Sequence, residues 1–505
     1  MKHSSNMKII LCSVLCFSLI SACLIVNDDF LVAAEPNMGS NEGGVNIGTG
    51  NSVSNVVITG DTEITGDEGV NGGSYSSSEA DVSVIHVNTN NTLESSEDTS
   101  FSYKCLLVML YVYDFKLTNF LVNTGILSEP VSGLSISHVS LDKTGDTSNT
   151  ESSDFTGLNA ALVTTNGGIN VLDADISTNA NGANAVFATG NNSVIHISDS
   201  VINTVKDASR GLDATYGGTI IGENLNINTK GAHCAALATD RGEGIINVKN
   251  SILNTAGAGS PLLYSTGNIS LTSSSGTATG SSIGVIEGKN SLQIIDCDLS
   301  SYAYGRVNSG IDSCGIMIYQ SMSGDASIGV GNFTATNSKL HISSDSEVYK
   351  TAPMFFITNT NAIITLTSTT LDYGSNILIR ATGNTGEWGT SGSNGGKLNF
   401  TANSETLKGN IELDSISSIN IILKQTTLES TINKNNTGTV DLNLDSDSTW
   451  TVTGTSYINK ITLANNNLKL IKDNGHTIYY NTQENTWLNG KTITLQNGGK
   501  LTPTT

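Results

Sequence analysis

Four short segments of the chain lie in register. They are Leu172-Asp-Ala-Asp-Ile-Ser-Thr178, Asp199-Ser-Val-Ile-Asn-Thr204, Asn224-Leu-Asn-Ile-Asn-Thr229 and Asn250-Ser-Ile-Leu-Asn-Thr255. Asp173, Asp199, Asn224 and Asn250 form one column, and Ile176, Ile202, Ile227 and Leu253 another, with steps of 26, 25 and 26 residues. Asp296/Leu299 and Asn337/Leu340 continue both columns after longer gaps, which hold extra coils or loops. A second set of columns lies half a turn away. Thr165, Thr189, Thr215, Thr239 and Thr266 are each followed closely by Gly, and two positions before them stand Val163, Phe187, Asp213, Leu237 and Tyr264. Between the columns apolar and small polar residues alternate, as in strands.

A fixed period of this length, built from short strands and Asn/Asp/Gly corners, specifies a solenoid. Stacking sets each residue one strand spacing above its counterpart, so isoleucine rests on isoleucine in a continuous core. Asn and Asp tolerate the left-handed backbone a corner needs. The leucine-rich consensus and its helical stretches are absent, and a β-sandwich does not predict fixed-period columns. The expected fold is all-β, a single-stranded right-handed parallel β-helix with coils of about 25 residues. Composition agrees: the chain has 52 Gly, 5 Pro, 37% apolar and 14% charged residues, which is neither disordered nor ordinarily helical.

Residues 1–34 read as an export signal, with Lys2, His3 and Lys8 before an apolar run from Ile9 to Val26. Ile20-Ser21-Ala22-Cys23 resembles a lipobox and makes Cys23 the lipidation candidate; Val32-Ala33-Ala34 offers a second cleavage site, and an uncleaved anchor a third reading. Residues 35–100 form a Gly/Ser/Asn-rich leader with the first strands, at Asn55–Thr59 and Val82–His86. Residues 101–130 are an apolar insertion outside the pattern, 131–470 the main solenoid, and 471–505 a cap over an otherwise open edge. Cys105, Cys234, Cys297 and Cys314 show neither zinc spacing nor a disulfide framework and read as small core residues. The net charge of −21 argues against a nucleic-acid partner.

Ser448-Thr-Trp-Thr-Val-Thr-Gly-Thr-Ser-Tyr-Ile-Asn-Lys-Ile-Thr-Leu463 resembles the late coils of pertactin-type autotransporter passenger domains. More broadly, residues 157–505 are similar to exported adhesin-like β-helix proteins. Gly211-Leu-Asp-Ala-Thr-Tyr-Gly-Gly218, Ala235-Ala-Leu-Ala-Thr-Asp-Arg-Gly-Glu-Gly244 and Tyr264-Ser-Thr-Gly-Asn-Ile-Ser270 carry the likeness. The resemblance implies architecture and surface location. The chain runs only about 40 residues past Leu463, without the membrane β-barrel of an autotransporter, so the expectation is secretion or lipid anchoring.

The candidate chemistry follows from what β-helix enzymes need, namely clustered carboxylates on one face. Arg210 and Asp213 stand one coil before Asp240, Arg241 and Glu243, with His233 near. Asp213 is the odd member of an otherwise apolar column, and Arg210 or Arg241 is its expected partner; a structural ion pair is the plainer role for the group. Asp173/Asp175 and Asp296/Asp298 read as corner geometry, and Asp441, Asp445 and Asp447 as a solvated strand. His86, His138, His196, His233, His341 and His476 show no ligand spacing, and sequons occur at Asn90, Asn191, Asn268, Asn332, Asn399 and Asn435. A single Thr column is a weak basis for ice binding. No cofactor is expected, with Ca²⁺ the one metal to consider. The expected function is an adhesin-like protein of the cell surface or medium. It would engage glycans or host and matrix proteins along a solenoid face. A polysaccharide lyase or hydrolase using Arg210, Asp213, Asp240, Arg241 and Glu243 is the alternative, and a structural spacer the third reading.

Overall fold

The computed structural model describes residues 56–89, 133–305, 313–385 and 388–504. The export signal with Cys23, and the insertion at 101–130, lie outside the described residues. The chain is a parallel β-helix with three strand ladders per coil. The first face runs from Thr59–Ile64 through Leu212–Thr215 and Ile316–Tyr319 to Asn410–Leu413. The second runs from Glu68–Ser77 to Lys460–Leu463. The third passes through Val201–Thr204, Ile252–Thr255 and Lys339–Ile342, and a separate ladder from Thr406–Lys408 to Ile471–Lys472 follows it. Parallel pairing therefore begins before residue 131, and it continues past 470 in Thr477–Tyr480 and Lys500–Pro503. There the two-residue strand Ile493–Thr494 pairs antiparallel with Lys500–Pro503, leaving a very short edge. No helix among the described residues is long and apolar enough to cross a membrane.

The core is a set of files. On the second face Ile169, Ile195, Ile220, Ile246, Ile269, Leu292, Phe333, Ile364, Phe400, Ile421, Leu442 and Ile461 occupy successive rungs, all buried. Each rung lies about 4.8 Å from the next, and each buried Ile or Leu contributes about 1.5–3 kcal/mol. The third-face file is Ile176, Ile202, Ile227 and Leu253, as the sequence spacing requires. An extra coil with Gly276 in this file stands between Leu253 and Leu299. The gap from Leu299 to Leu340 is a loop instead, since those two residues pair directly.

The corner between the second and third faces is left-handed at Asp173, Asp199, Asn224, Asn250, Asp296 and Asn337, with φ between 50° and 55°. The next residue in each coil turns inward, and there its N–H is aimed away from the ladder. An unpaired buried N–H is costly. Hydroxyls of the following coil accept these donors: Ala174 N donates to Ser200 Oγ at 3.1 Å, Leu225 N to Ser251 Oγ at 2.9 Å and Cys297 N to Ser338 Oγ at 3.1 Å. Cys297 itself occupies a position in this internal hydroxyl file. Cys234 belongs to a similar file, accepting from Ser209 N at 3.0 Å. These cysteines are more than apolar filler, and Cys234, Cys297 and Cys314 are free thiols.

Glu405 occupies the same internal file. Its Oε1 accepts from Thr369 N at 2.8 Å, and burial pushes its carboxyl up to about 7. The folded state therefore holds a proton that the unfolded chain has released, and the associated stability is lost as pH rises from about 4.5 through about 7. Glu405→Gln is expected to remove that slope. The variant should be more stable than the parent at pH 8 by about 1–3 kcal/mol, read from denaturation at pH 5 and pH 8.

Candidate functional site

On most strands of a one-sheet wall the outward side chains meet solvent, but the first face is buried on both sides between Leu162 and Thr358. The outward columns follow from the register. One is Val163, Phe187, Asp213, Ala238, Tyr264, Val285, Met317 and Phe356; the other contains Thr189, Thr215, Asp240, Thr266, Glu287, Tyr319 and Thr358. This corrects the sequence-based columns at one coil. Ala238 stands where Leu237 was expected, and Asp240 where Thr239 was, because Leu237 pairs with Leu212 in the inner file.

The outer side has three zones. Val163 and Phe187 form an apolar cluster with Ile58, Leu158 and Ala160 at the amino-terminal end. Met317, Phe356, Tyr319, Cys314 and Trp388 form another further on, with the Tyr319 and Trp388 rings edge-to-face at 4.9 Å. Charged and phenolic groups lie between, around a cleft of about 300 Å³. The short helix Thr150–Thr156 forms one wall. Asn149 caps it by accepting from Ser152 N at 3.0 Å, and Gly157 ends it in the left-handed region. A Cβ on Gly157 would meet the Phe187 ring at 2.6 Å, so glycine permits this close approach as well as the φ of 77°.

Arg210 is the hub. Its guanidinium binds Asp154 of the helix, lies 3.0 Å from Asp240 Oδ2 and 3.6 Å from Asp213 Oδ2. Asp213 is fully buried beneath it. Burial and the neighbouring Asp240 charge hold the Asp213 carboxyl well above the usual carboxylate range, with Arg210 pulling the other way. Asp240 is pushed up to about 6, again by burial against Arg210. Asp240 lines the cleft, and its Oδ2 accepts no hydrogen bond: the nearby Arg210 Nε–H is not aimed at it.

Arg241 is not Asp213's partner. It binds Asp325 Oδ1 through Nη2 at 2.7 Å and Nε at 3.1 Å, approaches Glu151 at 3.6 Å and covers the Phe155 ring at 3.8 Å. Glu243 is apart from the cluster, left-handed at φ 65° and paired with Lys289 at 2.7 Å. The structure therefore joins Arg210, Asp213 and Asp240 directly, places Arg241 on the adjoining wall and sets Glu243 aside.

Sequence reasoning missed Asp154, Glu287, Tyr319 and Asp325. Glu287 Oε2 accepts from the Tyr264 hydroxyl at 3.1 Å and the Tyr319 hydroxyl at 3.0 Å, and its Oε1 from Ser321 N at 3.2 Å. The signal for Glu287 and Tyr319 was present: Tyr264-Ser-Thr266, Val285-Ile-Glu287 and Met317-Ile-Tyr319 are equivalent triplets.

The other carboxylates have structural roles. Asp173 is at a corner 3.6 Å from His138 Nε2, Asp298 faces Lys339 and His341, and Asp441 accepts from Asn459 Nδ2 at 2.8 Å. Asp445 takes up the N–H of Gln425 and the Ser448 hydroxyl. Among the described residues no group of three His, Cys, Asp or Glu side chains is placed to hold a metal ion, Ca²⁺ included. No protein-family model, curated protein or solved structure matches the chain.

Proposed function

We propose that this is an adhesin-like, exported glycan-binding protein whose ligand enters the first-face cleft. The observation that carries the reading is the covered outer face of a single solenoid wall. Phenols and carboxylates are gathered there between two apolar clusters, whereas the outward Asn residues elsewhere bond to each other. Asn254, Asn228 and Asn203 form such a ladder at 3.1 and 3.3 Å. A concave site with convergent hydroxyls and carboxylates beside aromatic edges suits a hydroxyl-rich ligand. Surface location rests on the amino-terminal signal and on the resemblance to exported adhesins.

A second reading, polysaccharide hydrolysis, is favoured by one observation: Asp240 is pushed up to about 6 beside a second raised carboxyl, the pattern of an acid/base pair. Burial counts against it. Asp213 is sealed beneath Arg210, while hydrolysis needs both carboxyls at the scissile bond. The two readings part on a polysaccharide panel scored for retention and for released reducing or unsaturated ends. Retention without product is expected. Product formation lost in Asp240→Ala would replace the binding reading with the enzymatic one.

A further inference from the structure

Which glycans fit is a question of charge, and the inference rests on the glycan-binding reading above. Among the described residues around the cleft, Asp154, Asp213, Asp240, Glu287 and Asp325 face only Arg210 and Arg241. Even with Asp213 protonated, the carboxylates outnumber the guanidiniums by two. Both guanidiniums are also committed, Arg210 to three aspartates and Arg241 to Asp325, Glu151 and the Phe155 face. A uronate needs a free Arg or Lys fork, and here it would meet an excess of like charge behind low-dielectric walls. The net charge of −21 repels it at longer range as well.

The vacancy is for a donor. Asp240 Oδ2 is buried, lines the cleft and receives no hydrogen bond, and a buried acceptor left so is costly. The tyrosine hydroxyls do not compensate, since both donate to Glu287. A protonated amine would neutralise the excess charge and supply the missing N–H together. We propose that the cleft selects amino sugars carrying a free ammonium, and discriminates against uronic-acid polymers.

The test uses three hexasaccharides with the intact chain at pH 6.5 in low salt, by calorimetry: hexaglucosamine, its fully N-acetylated counterpart and hexagalacturonate. The first two share a backbone and differ in charge. Hexaglucosamine is expected to bind about tenfold more tightly than the N-acetylated sugar, with no detectable hexagalacturonate binding. Asp240→Asn should reduce that preference to about twofold or less, and added salt should weaken it. Equal or tighter binding of hexagalacturonate, or no preference for the free amine, would overturn the amino-sugar inference while leaving a glycan-binding cleft. Binding of none of the three would overturn both.

Discussion

Arg210→Ala is expected to destabilise the central coils by about 3–5 kcal/mol at pH 7, because it strips the counter-charge from three carboxylates at once. Two of them are buried in the wall, and the third fastens the helix Thr150–Thr156 over it. Without Arg210, Asp213 and Asp240 must take up protons to remain buried, so the loss should shrink as pH falls to 4. Adding Asp213→Asn and Asp154→Asn should restore much of the stability at pH 7. Chemical denaturation at both pH values, with amide exchange across residues 150–160 and 205–245, reads the effect. A loss below about 1 kcal/mol at pH 7, with no pH dependence, would mean that the cluster is solvated and Arg210 is no hub.

Trp450→Ala is expected to have a comparable cost at the far end of the solenoid. The indole is fully buried, paired in the ladder with Leu428 on one side and Ile471 on the other. Its Nε1 donates to Ser430 Oγ at 3.0 Å and Ser430 O at 3.2 Å. Truncation leaves a cavity and an unmatched acceptor, costing about 3–5 kcal/mol. Coils interact chiefly with their neighbours, so the damage should be local. Limited proteolysis should release the chain beyond about residue 405 while the coils from 133 to 360 stay protected. Loss of protection throughout would show that the solenoid unfolds as one cooperative unit. Once the last coils fray, exposed strand edges should also make the variant aggregate.

The third-face file was readable from the sequence because each coil repeats one residue type at one depth. Ile176, Ile202, Ile227 and Leu253 point inward while their neighbours meet solvent, so the alternation survives. The first face gives no such contrast. Leu212, Asp213, Ala214 and Thr215 are all buried, two against the core and two beneath the outer wall, and period two disappears. With both sides covered, a coil one residue shorter shifts the alignment unnoticed, which is how Leu237 and Thr239 came to stand for Ala238 and Asp240. The cleft was half legible for the same reason. Arg210, Asp213 and Asp240 are close in the repeat. Asp154 arrives on a helix outside it and Asp325 on a loop between Tyr319 and Val330. No periodicity connects those two with the wall they cover.

The central claim is that ligand occupies the first-face cleft, and amide hydrogen exchange locates it most directly. The intact chain would be compared with and without the polysaccharide that retains it most strongly. The account predicts slowed exchange in the helix Thr150–Thr156, around Asp240–Glu243 and in residues 319–327, with the Asn203/Asn228/Asn254 ladder unchanged. Protection confined to that ladder or to the second face, or no polysaccharide retained at all, would contradict it.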